Sequence, residues 1–552
     1  MENKDSSFKN YISVILGSLL GAFFCILNVI VSLKVGLGFG SSQVVALLGY
    51  FALKMMGNYN MKQNNIVQAA ASGGYLSMFA IDSSVVAFMI YSNIKITVYL
   101  IFGLGITATI IGIIIAYWIE PIYVEAERLP FPTGTATADT IKFLANGTSQ
   151  NQSRYLFIGI TISVVINLLV QIFNVIPSVL PGSIFGGLPA FLGLIVSPLI
   201  FGLGYMINWK PAIMVFSGSI FSYVVWILDE GASSTVKYSQ HTNNMWILSV
   251  GTAVMIASAI FSLWDIRGIL TKIWGQAFST FKGNQKYTKN YLFWIVILAI
   301  FSFIEFYMLM PSWNIILSVL IVLLPMTFIT VLFCCKASGE TGLNPITPLG
   351  IITFCIVAFL SRDFKVIIFG GAFVCAAGLS ASTMINSLKA GELLGTPRND
   401  LLKSQIIGAV LGVLVGSFTI YKIGSIYQFG SENMPTPVSI AWGTIVDTLS
   451  QGHIPSNINM YLSALGASLA FVLTKLKLSA VCFGIGVIIP PSYSLTLLVG
   501  ALFRLFVEKK YKINPSKLKV KIQELQSSMS GLIAGEGIVV LILFIIQIIN
   551  SL

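Results

Sequence analysis

Apolar runs of close to membrane-spanning length recur along this chain, at residues 11–33, 94–119, 155–176, 245–264, 291–310, 313–335 and 532–549. A helix needs about 20 apolar residues to cross the hydrocarbon core of a bilayer. Lipid offers no partner to backbone N–H and C=O groups, so only helices and closed barrels can span it. Barrel strands alternate apolar and polar residues over about ten positions, whereas these runs are continuous. Hydrophobic residues make up 56% of the 552 positions and charged ones 9%, against about 25% charged in a soluble domain. The chain reads as an all-α polytopic membrane protein of the cell membrane.

Between the long runs lie shorter or interrupted ones at 41–57, 64–80, 132–145, 343–360, 441–449 and 478–490, rich in Gly, Ser, Thr or Pro. These read as half-helices or re-entrant segments, and the whole as about 14–16 membrane segments. Two internal matches point to duplication. Gly134–Gly147 aligns with Gly378–Gly391, with Gly134/Gly378, Ile141/Ile385, Leu144/Leu388 and Gly147/Gly391 identical. Residues 201–224 align with 483–506, with Phe201/Phe483, Gly202/Gly484, Gly204/Gly486, Gly218/Gly500 and Phe221/Phe503 identical. The order is the same in both halves. We divide the chain into repeat halves 1–290 and 291–552, the second with an inserted loop near 421–457. Transporters commonly arise by such duplication and place their sites where the halves meet.

The formal net charge of +12 does not imply nucleic acid. The bases concentrate in linkers such as 267–289 and 504–521, as cytoplasmic loops do under the positive-inside rule. Within the first linker Ile269, Leu270, Ile273, Trp274, Ala277, Phe278 and Phe281 recur at helical spacing, which suits a helix lying along the membrane surface. The six cysteines sit in or beside apolar runs without metal-ligand spacing, as small buried hydrophobes do, and His241 and His453 are too scattered to bind metal. No cofactor is expected. Lys4 and Lys9 precede a long apolar run that reads as a retained first span.

The stretch LPFPTGTATADTIKFLANG at 129–147 interrupts this pattern with two prolines, hydroxyl residues, Asp139 and Lys142. A helix that opens with proline at membrane depth has free N–H groups that must face protein or water. Broken helices are where secondary transporters place substrates and ions. This stretch resembles the LPFP-x-GTA-x-A-[DE] segment of the oligopeptide transporter family. That family includes peptide carriers and the yellow-stripe-like carriers of metal–nicotianamine or metal–phytosiderophore complexes. Four further blocks resemble it in family order: GETGLNPITPLG at 339–350, NSLKAGELLGTPR at 386–398, GIGVIIPPSYSLTLLVG at 484–500 and GLIAGEG at 531–537. Asn386 stands where the family often has an acid.

The residues of these blocks supply the candidate site. Asp139 and Lys142 are three apart on a helix, either as a charged wall beside Thr135 and Thr137 or as a structural ion pair. Asn344 precedes Pro345 and is therefore pushed out of the α region. With Glu340 and Thr341 it forms a turn whose carbonyls suit an ammonium, an amide or a cation, or else caps a helix. Ser382 lies in the second repeat copy, and Tyr493 after Pro490-Pro491 either lines a pore or sits at an interface. An ionised carboxylate in a membrane is expensive, so Glu536 in its apolar span faces a cavity, pairs, or holds a proton; Glu340 is the second candidate for the coupling proton. Glu305 pairs within the bundle or reaches the interface, and the Glu120–Arg128 approach reads as a solvated loop. Lys389 and Glu392 read as a solvated pair.

A pump would need a G-x-x-x-x-G-K-[ST] phosphate loop, and a membrane enzyme clustered acids or histidines; the sequence offers neither, Asp229-Glu230 being its only adjacent acidic pair. The resemblance argues against a channel. It implies a secondary active importer, not an enzyme, that takes short oligopeptides by proton symport and alternating access, with metal chelates as the alternative cargo. The expected partners are a peptide or other small-molecule substrate, protons and the bilayer, with a homodimer allowed and no nucleic acid.

Overall fold

The computed structural model describes residues 2–36, 42–57, 59–145, 150–180, 193–207, 209–230, 244–258, 260–261, 300, 313–341, 344, 346–431, 434–452, 459–511 and 515–550. Among them the structure is helical apart from one short antiparallel pair, β1 (Val179–Leu180) with β2 (Leu194–Ile195), and an isolated bridge between Ser431 and Met434. In chain order the helices are α1 (Glu2–Val35), α2 (Ser42–Met55), α3 (Met61–Ala71), α4 (Ser77–Ser92), α5 (Val98–Glu120), α6 (Pro132–Ala145), α7 (Gln150–Asn167), α8 (Pro198–Met206) and α9 (Trp209–Glu230). There follow α10 (Met245–Ser258), α11 (Trp313–Thr341), α12 (Ile346–Leu360), α13 (Phe364–Leu394) and α14 (Arg398–Ile426). The last are α15 (Pro437–Gln451), α16 (Met460–Lys475), α17 (Ala480–Ile488), α18 (Pro491–Lys510) and α19 (Pro515–Asn550).

Seven of the described helices hold a stretch long and apolar enough to cross a membrane, and five shorter ones are apolar. The chain is an all-α polytopic protein. It forms two compact units, one of 1–145, 258–429 and 438–456, the other of 146–257, 430–437 and 457–552. Residue 290, the expected boundary between halves, lies outside the described residues, as do Glu305, the 267–289 linker, His241 and His453. The stretch 421–457 is not a loop throughout: α14 runs to Ile426, and Pro437 opens α15, where its fixed φ suits the first turn.

The first unit is built around α13, whose most apolar window is 89% buried. Asp363 caps its start, accepting from the Lys365 N–H at 2.7 Å, and Gly395 ends it in the left-handed conformation, the usual pairing of a side-chain N-cap with a glycine stop. Gly378–Gly391 thus lies inside a continuous helix, whereas its sequence counterpart opens the separate α6. Helices of apolar surface gain nothing by leaving lipid for one another, so their packing relies on small residues that let backbones meet. Here α14 carries Gly408, Gly412 and Gly416 on one stripe. A Cβ at these positions would meet the Ala70 carbonyl, Gly74, and the Cys25 and Met78 side chains respectively. Those contacts fix the buried break at 72–76 that separates α3 from α4, within the interrupted segment expected at 64–80.

In the second unit the 201–224 and 483–506 repeats have matching shapes. Each is a nine-residue helix capped by a serine, Ser197 or Ser479, whose hydroxyl accepts a backbone N–H of the first turn. Each ends on an extended residue, Ile207 or Ile489, before a long helix. They pack reciprocally. Gly204 of α8 meets Leu497 of α18, and its counterpart Gly486 of α17 meets Val215 of α9, the counterpart of Leu497. Gly500 meets Phe201 and Gly204, while Gly218 meets Phe483 and Gly486. Swapping the copies leaves the contact set unchanged, as a local two-fold axis requires. Gly159 of α7 meets Ser528 and Gly531 of α19 in the same close manner.

Because the backbone of α3 occupies the space a Cβ at Gly408 would need, Gly408→Val is expected to destabilise the protein by about 2 kcal/mol or more. Ile407→Ala, on an exposed face, is expected to change little. Thermal melting of the detergent-solubilised protein checks both.

Candidate functional site

Three of the blocks singled out in the sequence lie in the first unit and meet near the start of α6. The approach to it is not a solvated loop. α5 continues as a π-helix over Pro121–Ala126, Glu120 is buried, and its carboxylate pairs with Arg398 at 2.5 Å. Arg398 also lies over the Tyr117 ring and donates to the Tyr117 carbonyl. Glu127 pairs with the buried Lys336 of α11 at 3.1 Å.

The chain then turns through two non-glycine residues in the left-handed region, Arg128 (φ 50°) and Phe131 (φ 42°). Such residues persist only where their surroundings hold them. Here the Phe131 N–H donates to the Gly339 carbonyl at 2.8 Å, and a Cβ on Gly339 would collide with the Leu129 and Phe131 side chains. The LPFP turn is therefore clamped onto the end of α11.

Pro132 then opens α6. The Gly134 N–H, one of the groups that a helix start leaves free, donates to Asn386 Oδ1 of α13 at 3.0 Å. Asn386 Nδ2 donates to Ser338 Oγ at 2.8 Å and to the Ser382 carbonyl at 2.7 Å. Ser382 Oγ donates to Asn344 Oδ1 at 2.7 Å. Three sequence blocks are thus joined by side-chain hydrogen bonds through Asn386 and Ser382. The Gly134 N–H, one of the groups expected to face protein or water, is taken by Asn386, the residue that departs from the family pattern.

The remaining candidates distribute as follows. Thr135 Oγ1 donates back to the Pro130 carbonyl, and Thr137, buried, to the Thr133 carbonyl. Asp139 and Lys142 are both exposed and form no ion pair with each other, so the structural pairing is not realised. Glu340 and Thr341 end α11; their side chains lie outside the described residues. Lys389 and Glu392 form an ion pair at 2.7 Å with Glu392 open to solvent.

Tyr493 and Glu536 belong to the second unit. Tyr493 is buried at the start of α18, not exposed at an interface. Glu536, 4% exposed, is not at an aqueous helix end. Its carboxylate accepts from Ser197 Oγ at 2.9 and 3.0 Å, from the Leu199 N–H at 2.9 Å and from Asn167 Nδ2 at 3.4 Å. Ser197 caps α8, so Glu536 sits at a helix N-terminus, where the dipole favours negative charge, and ties α19 to α8 and α7. At the polar start of α19, hydrogen bonds from Lys521 to Glu524 (3.0 Å) and Tyr155 (3.2 Å) push the Lys521 ammonium above its ordinary range.

Sequence reasoning missed a polar cluster in the first unit. Residues 63–71 of α3 are all buried, although four of them are amides. Asn64 Nδ2 donates to the Ala46 carbonyl, Asn65 Nδ2 to Thr396 Oγ1, and Gln68 Nε2 to Ser72 Oγ. On α14, Gln405 Nε2 donates to Thr383 Oγ1 of α13. The carbonyl oxygens of these four amides, and of Gln63, have no hydrogen-bond partner among the described residues. Asn64, Asn65 and Gln68 span about 100° of the helix circumference, so they share one face. The signal was present in the sequence: the stretch QNNIVQ at 63–68 is far too polar to face lipid.

Residues 10–547 match the family described as OPT oligopeptide transporter protein. The chain belongs to the oligopeptide transporter family. Two relatives carry the provisional name of oligopeptide transporter. A Haemophilus influenzae protein is 22% identical over an alignment of 594 positions, covering 93% of this chain and 92% of that protein. A Saccharomyces cerevisiae protein, YGL114W, is 27% identical over 221 residues, covering 37% of this chain and 30% of that relative's length. Membership in this transporter family and the apolar helices together make the chain a multi-pass membrane transporter. Three of the family blocks, 129–147, 339–350 and 386–398, are joined through Asn386 and Ser382.

Replacing Asn386 with Leu strips an acceptor from Gly134 and a donor from Ser338, and is expected to cost about 1–3 kcal/mol. Asn386→Asp keeps the acceptor for the Gly134 N–H but sets a carboxylate oxygen against the Ser382 carbonyl that Nδ2 now serves, so it too is expected to lose stability at neutral pH. The melting temperatures of the two variants check this.

Proposed function

We propose that this oligopeptide transporter family member imports short oligopeptides across the cell membrane as a secondary active carrier, by proton symport and alternating access. The observation that carries the peptide reading is the set of buried amide oxygens on α3 and α14. They are acceptors without donors, and leaving a buried acceptor unmet costs about 1–3 kcal/mol. A peptide in extended form brings main-chain N–H groups and a terminal ammonium, which are the donors these oxygens lack. The provisional names of both relatives agree with this cargo.

In this reading the α3–α4 break and the LPFP turn give the first unit its substrate-facing irregular backbone, as broken helices do in other carriers. Thr135, Thr137, Asp139, Lys142, Asn344 and Ser382 lie along α6 and its neighbours, with Glu340 and Thr341 at the end of α11. The exposed Asp139 and Lys142 are proposed to meet the peptide termini; Tyr493, also put forward from sequence, belongs to the second unit. Glu340 and Glu536 are the carboxylates put forward from sequence for the coupling proton. Three donor groups surround Glu536, which supports a role in holding α8 and α7 to α19. The protein is read as a carrier without enzymatic chemistry.

Uptake of labelled tri- to pentapeptides into proteoliposomes tests the proposal. Accumulation is expected under an inward-acid pH gradient and not without one. Gln68→Met is expected to raise the peptide KM roughly tenfold, the equivalent of about 1.4 kcal/mol. Transport of an iron or nickel chelate in place of peptide would move the cargo to the alternative.

A further inference from the structure

Asp82 is the single acid of α4, and its side chain is 0% exposed. Its two oxygens have unequal surroundings. Oδ1 accepts from Ser32 Oγ of α1 at 2.9 Å and from Ser83 Oγ at 3.1 Å. Among the described residues Oδ2 has no hydrogen-bond partner and Asp82 forms no ion pair.

The helices packed on α4 bring no compensating charge to this level. α1 supplies Ser32 and the buried thiol of Cys25, with Lys34 two residues beyond Ser32. α14 supplies Gly416 beside Cys25 and Met78, and its Lys422 lies over Phe418. α5 supplies Gly105 near Met78 and Ile81, and its acid Glu120 ends that helix. Lys365 of α13 lies over Phe88, and Asp447 of α15 acts on Tyr91, both further along α4.

A bare carboxylate in such a place loses its hydration without gaining a counter-charge, and a buried acid in that position takes up a proton instead. We infer that Asp82 is a protonatable group within the first unit, and that Oδ2 carries the proton exchanged during transport. This rests on the proton-coupled reading above. The contrast with Glu536 supports it, since Glu536 is met by donors at both oxygens and Asp82 at one. Protonation places an O–H on Oδ2. Release leaves the electron pair on the carboxylate, held by the Ser32 and Ser83 hydroxyls. The neutral form is the one that suits the packed state described here.

Infrared spectroscopy of the full-length protein in lipid gives the direct test. A carbonyl stretch of a protonated carboxylic acid is expected at neutral pH, shifted by 13C-labelled aspartate and absent in Asp82→Asn. If no band responds to these changes, the inference is wrong. Peptide transport gives the second test: Asp82→Asn should keep counterflow exchange, which moves no net proton, and lose gradient-driven accumulation. Asp82→Glu should restore part of that accumulation with a displaced pH profile. Gradient-driven accumulation by Asp82→Asn equal to that of the parent would overturn the coupling role. Should Asp82→Asn fail to fold, Asp82→Glu must still move the infrared band, and an unmoved band contradicts the assignment. A parent protein that shows the band but carries no peptide would defeat the transport reading and leave the protonated Asp82 standing.

Discussion

Backbone laid directly against backbone holds these helices together. In lipid the apolar side chains of one helix are no better off against another helix than against acyl chains, so close approach has to supply the attraction. Gly408, Gly412 and Gly416 let α14 reach the α3–α4 break, and Gly204, Gly218, Gly486 and Gly500 let the two repeats of the second unit interlock. With glycine at these positions, dispersion and weak Cα–H contacts act over the full length of the helix pair. Everything polar in the first unit depends on this, because the break after α3 is kept in place by residues that have no side chain.

Close packing in turn allows polar groups to be buried with defined partners. Asn386 shows the consequence: one side chain meets the start of α6, the end of α11 and the interior of α13. A buried polar network of this kind specifies one arrangement, since removing a member leaves the others unmet. The same reasoning separates groups that are satisfied from groups that are not. Glu536 is fully met by Ser197, Leu199 and Asn167, and so reads as part of the scaffold of the second unit. The amide oxygens of Gln63, Asn64, Asn65, Gln68 and Gln405, and Oδ2 of Asp82, are unmet. Such groups are where a carrier's ligand and proton have something to gain.

Much of the fold was legible in the sequence, for physical reasons that can be named. The long apolar runs gave the helices, because membrane-spanning length and composition leave few alternatives. The 201–224 and 483–506 match points to duplication, and in the structure each copy is a short helix, a break and a long helix, with reciprocal glycine contacts between them. The match of 134–147 with 378–391 misled in one respect: Gly378 is inside a continuous helix, since no proline stands there to start a new one as Pro132 starts α6. The Glu120–Arg128 approach reads as a loop because its charges are dense, but Arg398 and Lys336, distant in sequence, neutralise Glu120 and Glu127. That pairing is invisible to local pattern. Asn386 stands where the family often has an acid, and its two-sided hydrogen bonding is what an amide offers and a carboxylate does not. The α3 amides were overlooked because the segment was judged by its interrupted length and not by what its side chains would need once buried.

On the proposed reading the polar interior of the first unit receives the transported molecule. Photo-cross-linking tests it most directly, with a radiolabelled tripeptide carrying a photoreactive side chain bound to the full-length protein in lipid, followed by mapping of the labelled fragments. Labelling on α3, α13 and α14, competed away by unlabelled peptide, is the predicted result. Competed labelling confined to α7, α8, α9 and α19 of the second unit would contradict it.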